Sequence, residues 1–190
     1  MTRLAILGST RGTNLNALVE AINKRQLNAS IELVIANKGD APILEKADNF
    51  NLKALFVDPQ NLSREAYDQH LSRILSEHNI DLVVLVGYLR ILSSQFVLAW
   101  QNKIINIHPS LLPAYSGLMN LGVHQAVLDA AETETGCTVH FVTEEVDAGP
   151  IILQKICPVL KEDKAETLKV RVQQMEGAAL VEAIKKISTS

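Results

Sequence analysis

The chain has 190 residues, 47% of them hydrophobic and 21% charged, with a formal net charge of −3. A single domain spanning residues 1–190 is expected, since one core of this size buries roughly 70% of the unfolded surface. The near-neutral charge argues against nucleic acid or an anionic membrane as the main partner. Neither the start at Met1 nor the apolar run Leu82–Leu89 has the length of a signal-peptide core or a membrane span, and a cytoplasmic protein is expected.

Leu4–Leu7 is an apolar run that opens an α/β sheet. Gly8-Ser-Thr-Arg-Gly-Thr-Asn follows, and then Leu15, Leu18, Val19 and Ile22 recur at helical spacing. A polar, glycine-containing loop between strand and helix turns backbone N–H groups and the helix dipole towards an anion, most naturally a phosphate. A plain turn with Thr13 or Asn14 as helix cap is equally open on local sequence; the cation of Arg11 favours the anion. The loop is neither a Walker-type phosphate loop nor a dinucleotide fingerprint.

Ile31–Ala36 and Ala54–Val57 read as further strands, with a helix over Pro42–Asp48 between them. The spacing predicts a helix over Ser63–Glu77 with Ala66, Tyr67, His70, Leu71, Ile74 and Leu75 inward. Arg64 lies in its first turn, where most arginines are solvated surface charges. Leu82-Val-Val-Leu-Val is apolar throughout, as a central parallel strand covered on both faces must be. Gly87 after it permits close approach to the backbone, and Ser93 is placed to cap a short helix ending at Trp100.

Ile104–Pro113 is the most informative stretch. Residues two apart on a strand share a face, so Asn106 and His108 project side by side before Pro109 ends the ladder. Strands alternating with helices imply a doubly wound, mostly parallel α/β sheet, in which ligands bind beyond the carboxyl ends of the strands. Gly8–Asn14, Gly87–Leu92 and Asn106–Pro113 all meet that condition. Helical spacing over Val123–Ala130 carries His124. Two alternating runs, Cys137–Thr143 and Ile151–Ile156, then form an antiparallel strand pair around an acidic turn. Glu144 and Glu145 read as surface charges, whereas Ala148-Gly149-Pro150 forces a defined turn at Asp147. His70, His78 and His140 are assigned to packing or surface, and Cys137 and Cys157 to the apolar interior. A long amphipathic helix over Thr167–Ile187 closes the chain.

Asn106-Ile-His-Pro-Ser-Leu-Leu-Pro, followed by Gly-Cys-Thr-Val-His-Phe-Val-Thr-Glu-Glu-Val-Asp-Ala-Gly-Pro, resembles the formyltransferase superfamily that uses 10-formyltetrahydrofolate. The likeness runs nearly end to end and is greatest to members that formylate glycinamide ribonucleotide in purine biosynthesis. It implies a Rossmann-like formyltransferase fold and 10-formyltetrahydrofolate as co-substrate, with no metal. It also implies a monomer or homodimer whose partners are small molecules, the ribonucleotide and the reduced folate. The catalytic trio it implies is Asn106, His108 and Asp147. Gly12, Thr13 and Asn14 would hold the ribonucleotide phosphate and Glu176 would lie near its ribose. Arg64, Leu89, Arg90, Ile91, Leu92 and Asn106 would face the folate.

The residue types suit that chemistry. Attack by the substrate's own amine on a formyl carbon needs no activated serine or cysteine, but it builds an oxyanion that an amide and an imidazolium can stabilise. A carboxylate beside the imidazole favours its charged form, so Asp147 is expected to raise the pKa of His108. One departure stands out. Superfamily members often carry a His-x-His pair after the position of Gly117; here His124 stands for the second histidine and the first has no counterpart.

Overall fold

The computed structural model describes residues 1–188. Seven strands and six helices lie among them, and the chain divides into two compact units, Met1–Asn106 and Ile107 onward.

The first unit is built on parallel strands: β1 (Thr2–Gly8), β2 (Ala29–Ala36), β3 (Ala54–Phe56), β4 (Leu82–Leu85) and the start of β5 (Ile104–His108). Their order is β3-β2-β1-β4-β5. The chain winds outward from β1 through β2 to β3, then returns to add β4 on the other side of β1. That reversal is a topological switch point. β1 and β4 run in register there, Leu7 opposite Leu85, and Leu85 is in turn opposite Asn106. Leu4–Leu7 and Leu82–Leu85 are buried, which is why both read as unbroken apolar runs.

Helices α1 (Leu15–Asn23), α2 (Pro42–Asn49), α3 (Arg64–Glu77) and α4 (Ser94–Ala99) connect these strands. Pro42 begins α2, where its fixed φ fits and its missing N–H costs nothing. Ser63 and Ser93 cap α3 and α4, each side-chain oxygen accepting from the N–H three residues on. Thr13 and Asn14 do not cap α1 this way: Asn14 holds the cap position without a side-chain cap hydrogen bond. The inner face of α3 is also rotated from the predicted one. Ala66 and His70 are exposed and Asp68 is buried, because Asp68 Oδ2 accepts the N–H of Ser93 at 2.6 Å. A hydrogen-bonded acid has displaced an alanine and a histidine from the interior.

The second unit holds the end of β5, α5 (Leu121–Asp129), β6 (Glu134–Phe141), β7 (Ile151–Pro158) and α6 (Ala165–Ser188). β6 and β7 pair antiparallel, as the alternating runs predict, and α6 packs on both strands and on α5. Its buried stripe includes Leu168, Val172, Ala179 and Ile184. A mostly parallel α/β sheet with an antiparallel pair towards the carboxyl terminus is thus the observed class. Among the described residues no helix is long and apolar enough to cross a membrane.

Candidate functional site

In the first unit, two loops meet at the switch point. Gly8 and Gly12 both lie against Ile43 of α2: a Cβ on Gly8 would come within 2.5 Å of that side chain, and one on Gly12 within 2.4 Å. Gly12 also has φ +58°, a conformation that side chains disfavour. The loop is therefore glycine-dependent for reasons of space as well as torsion. Its backbone is tied on both sides, by Ser9 N–H to the Gly87 carbonyl at 3.0 Å and by Ile43 N–H to the Thr10 carbonyl at 3.1 Å. Gly12 and Asn14 are buried while Arg11 and Thr13 are exposed. Lys46 of α2 reaches the Gly12 carbonyl at 3.4 Å. Sequence reading missed this cation, because only the fold of α2 brings it to the loop.

The facing segment follows β4. Gly87 has φ +63°, and a Cβ there would sit 2.3 Å from Thr10 Oγ1. Leu89 and Ile91 are 42% and 61% exposed, so two apolar side chains stand in solvent where the backbone turns. Leu92 is half-buried. The Arg90 guanidinium lies over the Tyr67 ring, 4.4 Å from its centroid, and its Nε is buried without a partner. Beside it, burial pushes the Tyr88 hydroxyl far up from its ordinary pKa. Arg64 is exposed and pairs with its neighbour Glu65 at 3.3 Å.

In the second unit, buried side chains form a cluster. His108 is 4% exposed. Its Nδ1 lies 3.2 Å from Asp147 Oδ2 and its Nε2 3.1 Å from the Tyr115 carbonyl, so each ring nitrogen faces an acceptor. Asp147 also accepts the Gly117 N–H at 2.9 Å, and His140 Nε2 lies 3.6 Å from its other oxygen. His140 is thus buried beside the acid and not at the surface. Its place on β6, two residues after Thr138, was the signal that could have found it. Asp147 has φ +56°, a strained torsion for a residue with a side chain. The turn is enforced by Gly149, where a Cβ would stand 1.8 Å from the Phe141 carbonyl.

Electrostatics at this cluster pull in opposite directions. Burial, the largest influence on His108, pushes its pKa below the ordinary value, and Asp147 and the Tyr115 carbonyl pull it back only in part. The expected rise is therefore reversed: the carboxylate acts in the predicted direction, but desolvation outweighs it. For Asp147 burial is again the largest influence and pushes upward. The bonds from His140 and the Gly117 N–H and the charge of His108 together outweigh it and hold the carboxyl below its usual range.

The segment leaving His108 is clamped. Thr138 Oγ1 accepts the Leu112 N–H at 3.0 Å and donates to the Ser110 carbonyl at 2.7 Å, while Gln154 donates to the Leu112 carbonyl at 2.9 Å. Glu176 lies buried on α6. With burial as the larger cause, its charge helps push the Cys137 thiol up to about 12. Both cysteines are buried and free, as expected. His124 is 1% exposed, and burial above all, then the charges of Lys169 and His108, lower its pKa to about 4.

Asn106, half-buried, shares β5 with His108. Among the described residues no group of three histidines, cysteines or acids is placed to hold a metal ion.

Comparison with known proteins adds the following. The family described as formyl transferase matches residues 2–184. The chain is 42% identical over 188 residues to the trifunctional purine biosynthetic protein adenosine-3 of Gallus gallus, covering 98% of this chain and 18% of that protein. It therefore spans less than a fifth of the length of that relative. The phosphoribosylglycinamide formyltransferase of Escherichia coli is 39% identical over 176 residues, 92% of this chain and 82% of that one. Among solved structures, glycinamide ribonucleotide transformylase 1 of Symbiobacterium toebii has a TM-score of 0.92 at 40% identity, covering 97% of this chain and 86% of that one.

Proposed function

The chain belongs to the formyl transferase family, and on that premise we propose that it moves the formyl group of 10-formyltetrahydrofolate to the amine of glycinamide ribonucleotide, a step of purine biosynthesis. On this reading residues 1–190 work as one formyltransferase domain. The observation that carries the mechanism is the buried His108–Asp147 pair, 3.2 Å apart, two residues after Asn106 on the same strand.

The amine of the ribonucleotide attacks the formyl carbon; a C–N bond forms and the carbonyl electrons move to oxygen. Asn106 and the imidazolium of His108 stabilise that oxyanion. The lowered pKa of His108 makes it neutral at rest, so it gains its charge from the reaction. It takes the proton that the attacking amine releases, and Asp147 stabilises the imidazolium as it forms. His108 then returns the proton to the leaving nitrogen of the folate as the old C–N bond breaks. The Tyr115 carbonyl faces Nε2 at 3.1 Å, on the side from which the proton would arrive.

The loop Gly12-Thr13-Asn14 serves the ribonucleotide phosphate through backbone N–H groups, helped by Lys46, and Glu176 serves its ribose. The backbone of Leu89, Arg90, Ile91 and Leu92 receives the pterin, with the exposed Leu89 and Ile91 supplying apolar cover. Arg64 and Arg90 supply positive charge on the folate side.

Incubation with both substrates, following formylated ribonucleotide by mass, tests the reading. Product is expected only when both are present. Release of formate at the same rate without the ribonucleotide would make the protein a hydrolase instead.

A further inference from the structure

Between the two loops of the first unit lies a hydrogen-bond relay that the reaction does not use. Ser9 is 5% exposed and Asn37 8%. The Ser9 hydroxyl donates to Asn37 Oδ1 at 2.6 Å, and its oxygen accepts the N–H of Leu89 at 2.9 Å. Three strand ends thus meet at one hydroxyl: β1 through Ser9, β2 through Asn37 and β4 through Leu89. A hydroxyl has one proton and two lone pairs and rotates to suit its partners. Asn37 takes the proton, so the lone pairs are left to face Leu89.

We propose that Ser9 and Asn37 are positioning residues that set the Leu89–Leu92 backbone for the folate. The proposal rests on the folate role assigned to that segment above. Leu89 N–H is the anchor of an otherwise exposed turn: Gly87 with its positive φ precedes it, and the exposed Ile91 follows two residues later. Without the Ser9 oxygen the turn loses this tie and its backbone groups are no longer pre-aimed. The neighbouring loop does not share the loss. It is held by main-chain bonds, Ser9 N–H to Gly87, Ile43 N–H to Thr10 and Leu15 N–H to Gly12, which a change of the Ser9 side chain leaves in place. The two substrates should therefore respond differently to one deleted oxygen.

Full steady-state kinetics on Ser9→Ala, with each substrate varied against the other, tests this. The KM for 10-formyltetrahydrofolate should rise roughly five- to tenfold, the worth of one hydrogen bond, with the ribonucleotide KM unchanged. Asn37→Ala, which frees the hydroxyl to rotate, should move the same constant by less. The double variant should cost no more than Ser9→Ala alone, because the two residues act through one bond. Equal rises in both KM values, or a fall in kcat with both KM values unchanged, would reduce the relay to general support of the fold and overturn the proposal. Calorimetric titration with tetrahydrofolate reads the same split without turnover. Weaker folate binding by Ser9→Ala in a protein that transfers no formyl group would sink the transfer reading and keep this one. Unchanged folate binding would do the reverse.

Discussion

The two units offer candidate groups of different kinds. At the two loops of the first, the groups on offer are main-chain ones, held by glycines at 12 and 87, by Ser9 and by Ile43. In the second, the groups are buried side chains: the Asp147 carboxylate lies 3.2 Å from His108 and 3.6 Å from His140. Backbone N–H and carbonyl groups recognise shape and hydrogen-bonding pattern without titrating, which suits the holding of two large substrates. The proposed reaction takes and returns a proton, which needs a titrating group, and a buried histidine with a carboxylate suits that role. Changes at the two loops of the first unit should therefore move KM, and changes at the His108–Asp147 pair should move kcat.

The sharpest way to break that contrast is His108→Ala. It should lower kcat by about 10²–10⁴-fold, the usual worth of a positioned acid–base group, with both KM values little changed in steady-state assays. Asp147→Asn keeps the shape but removes the charge that supports the imidazolium, and about 10²-fold in kcat is expected. A large change in either KM would mean that the His108–Asp147 pair also binds substrate.

The pH profile is the next test. Since burial lowers the pKa of His108, the neutral form that would accept the proton in the proposed mechanism persists to below the ordinary histidine value of about 6.5. In the proposed mechanism kcat/KM, which reports the enzyme before it binds substrate, should fall as the pH drops below that value. An acid limb above pH 7 would contradict the assignment.

How much of this was legible in the sequence follows the same division. Asn106, His108 and Asp147 could be singled out because each is a polar residue at a strand end or turn broken by proline, and the structure places His108 beside Asp147. The turn at Asp147 was read from Ala148-Gly149-Pro150, and the clash awaiting any side chain at Gly149 explains why. The relay at Ser9 was not visible, since its partners lie 28 and 80 residues away and a serine after glycine looks like an ordinary loop residue. Asp68 escaped for a related reason. Helical periodicity assigns polar residues outward, and only the Ser93 N–H makes an inward acid tolerable. The direction of the His108 shift was misjudged because a sequence reveals a charged neighbour but not the depth of burial.

Smaller effects sharpen the contrast from the side of stability. Gly12→Ala forces a side chain into φ +58° and against Ile43, so about 1–3 kcal/mol should be lost. Urea unfolding measures that loss, and the ribonucleotide KM should rise alongside it. In the second unit, His124 has its folded pKa lowered to about 4. The unfolded chain then binds more protons between that value and about 6.5. The stability His124 contributes is present above about pH 6.5 and is lost as the pH falls towards 4. Unfolding midpoints at pH 7 and pH 4.5 should differ less in His124→Gln than in the unaltered protein.

The most direct test of the central claim is a single-turnover experiment with labelled 10-formyltetrahydrofolate and saturating glycinamide ribonucleotide, run on the unaltered protein and on His108→Ala. The account predicts label in the ribonucleotide for the first, and the same binding with at least about 10²-fold slower transfer for the second. Label released as formate, or transfer at full rate without His108, would contradict it.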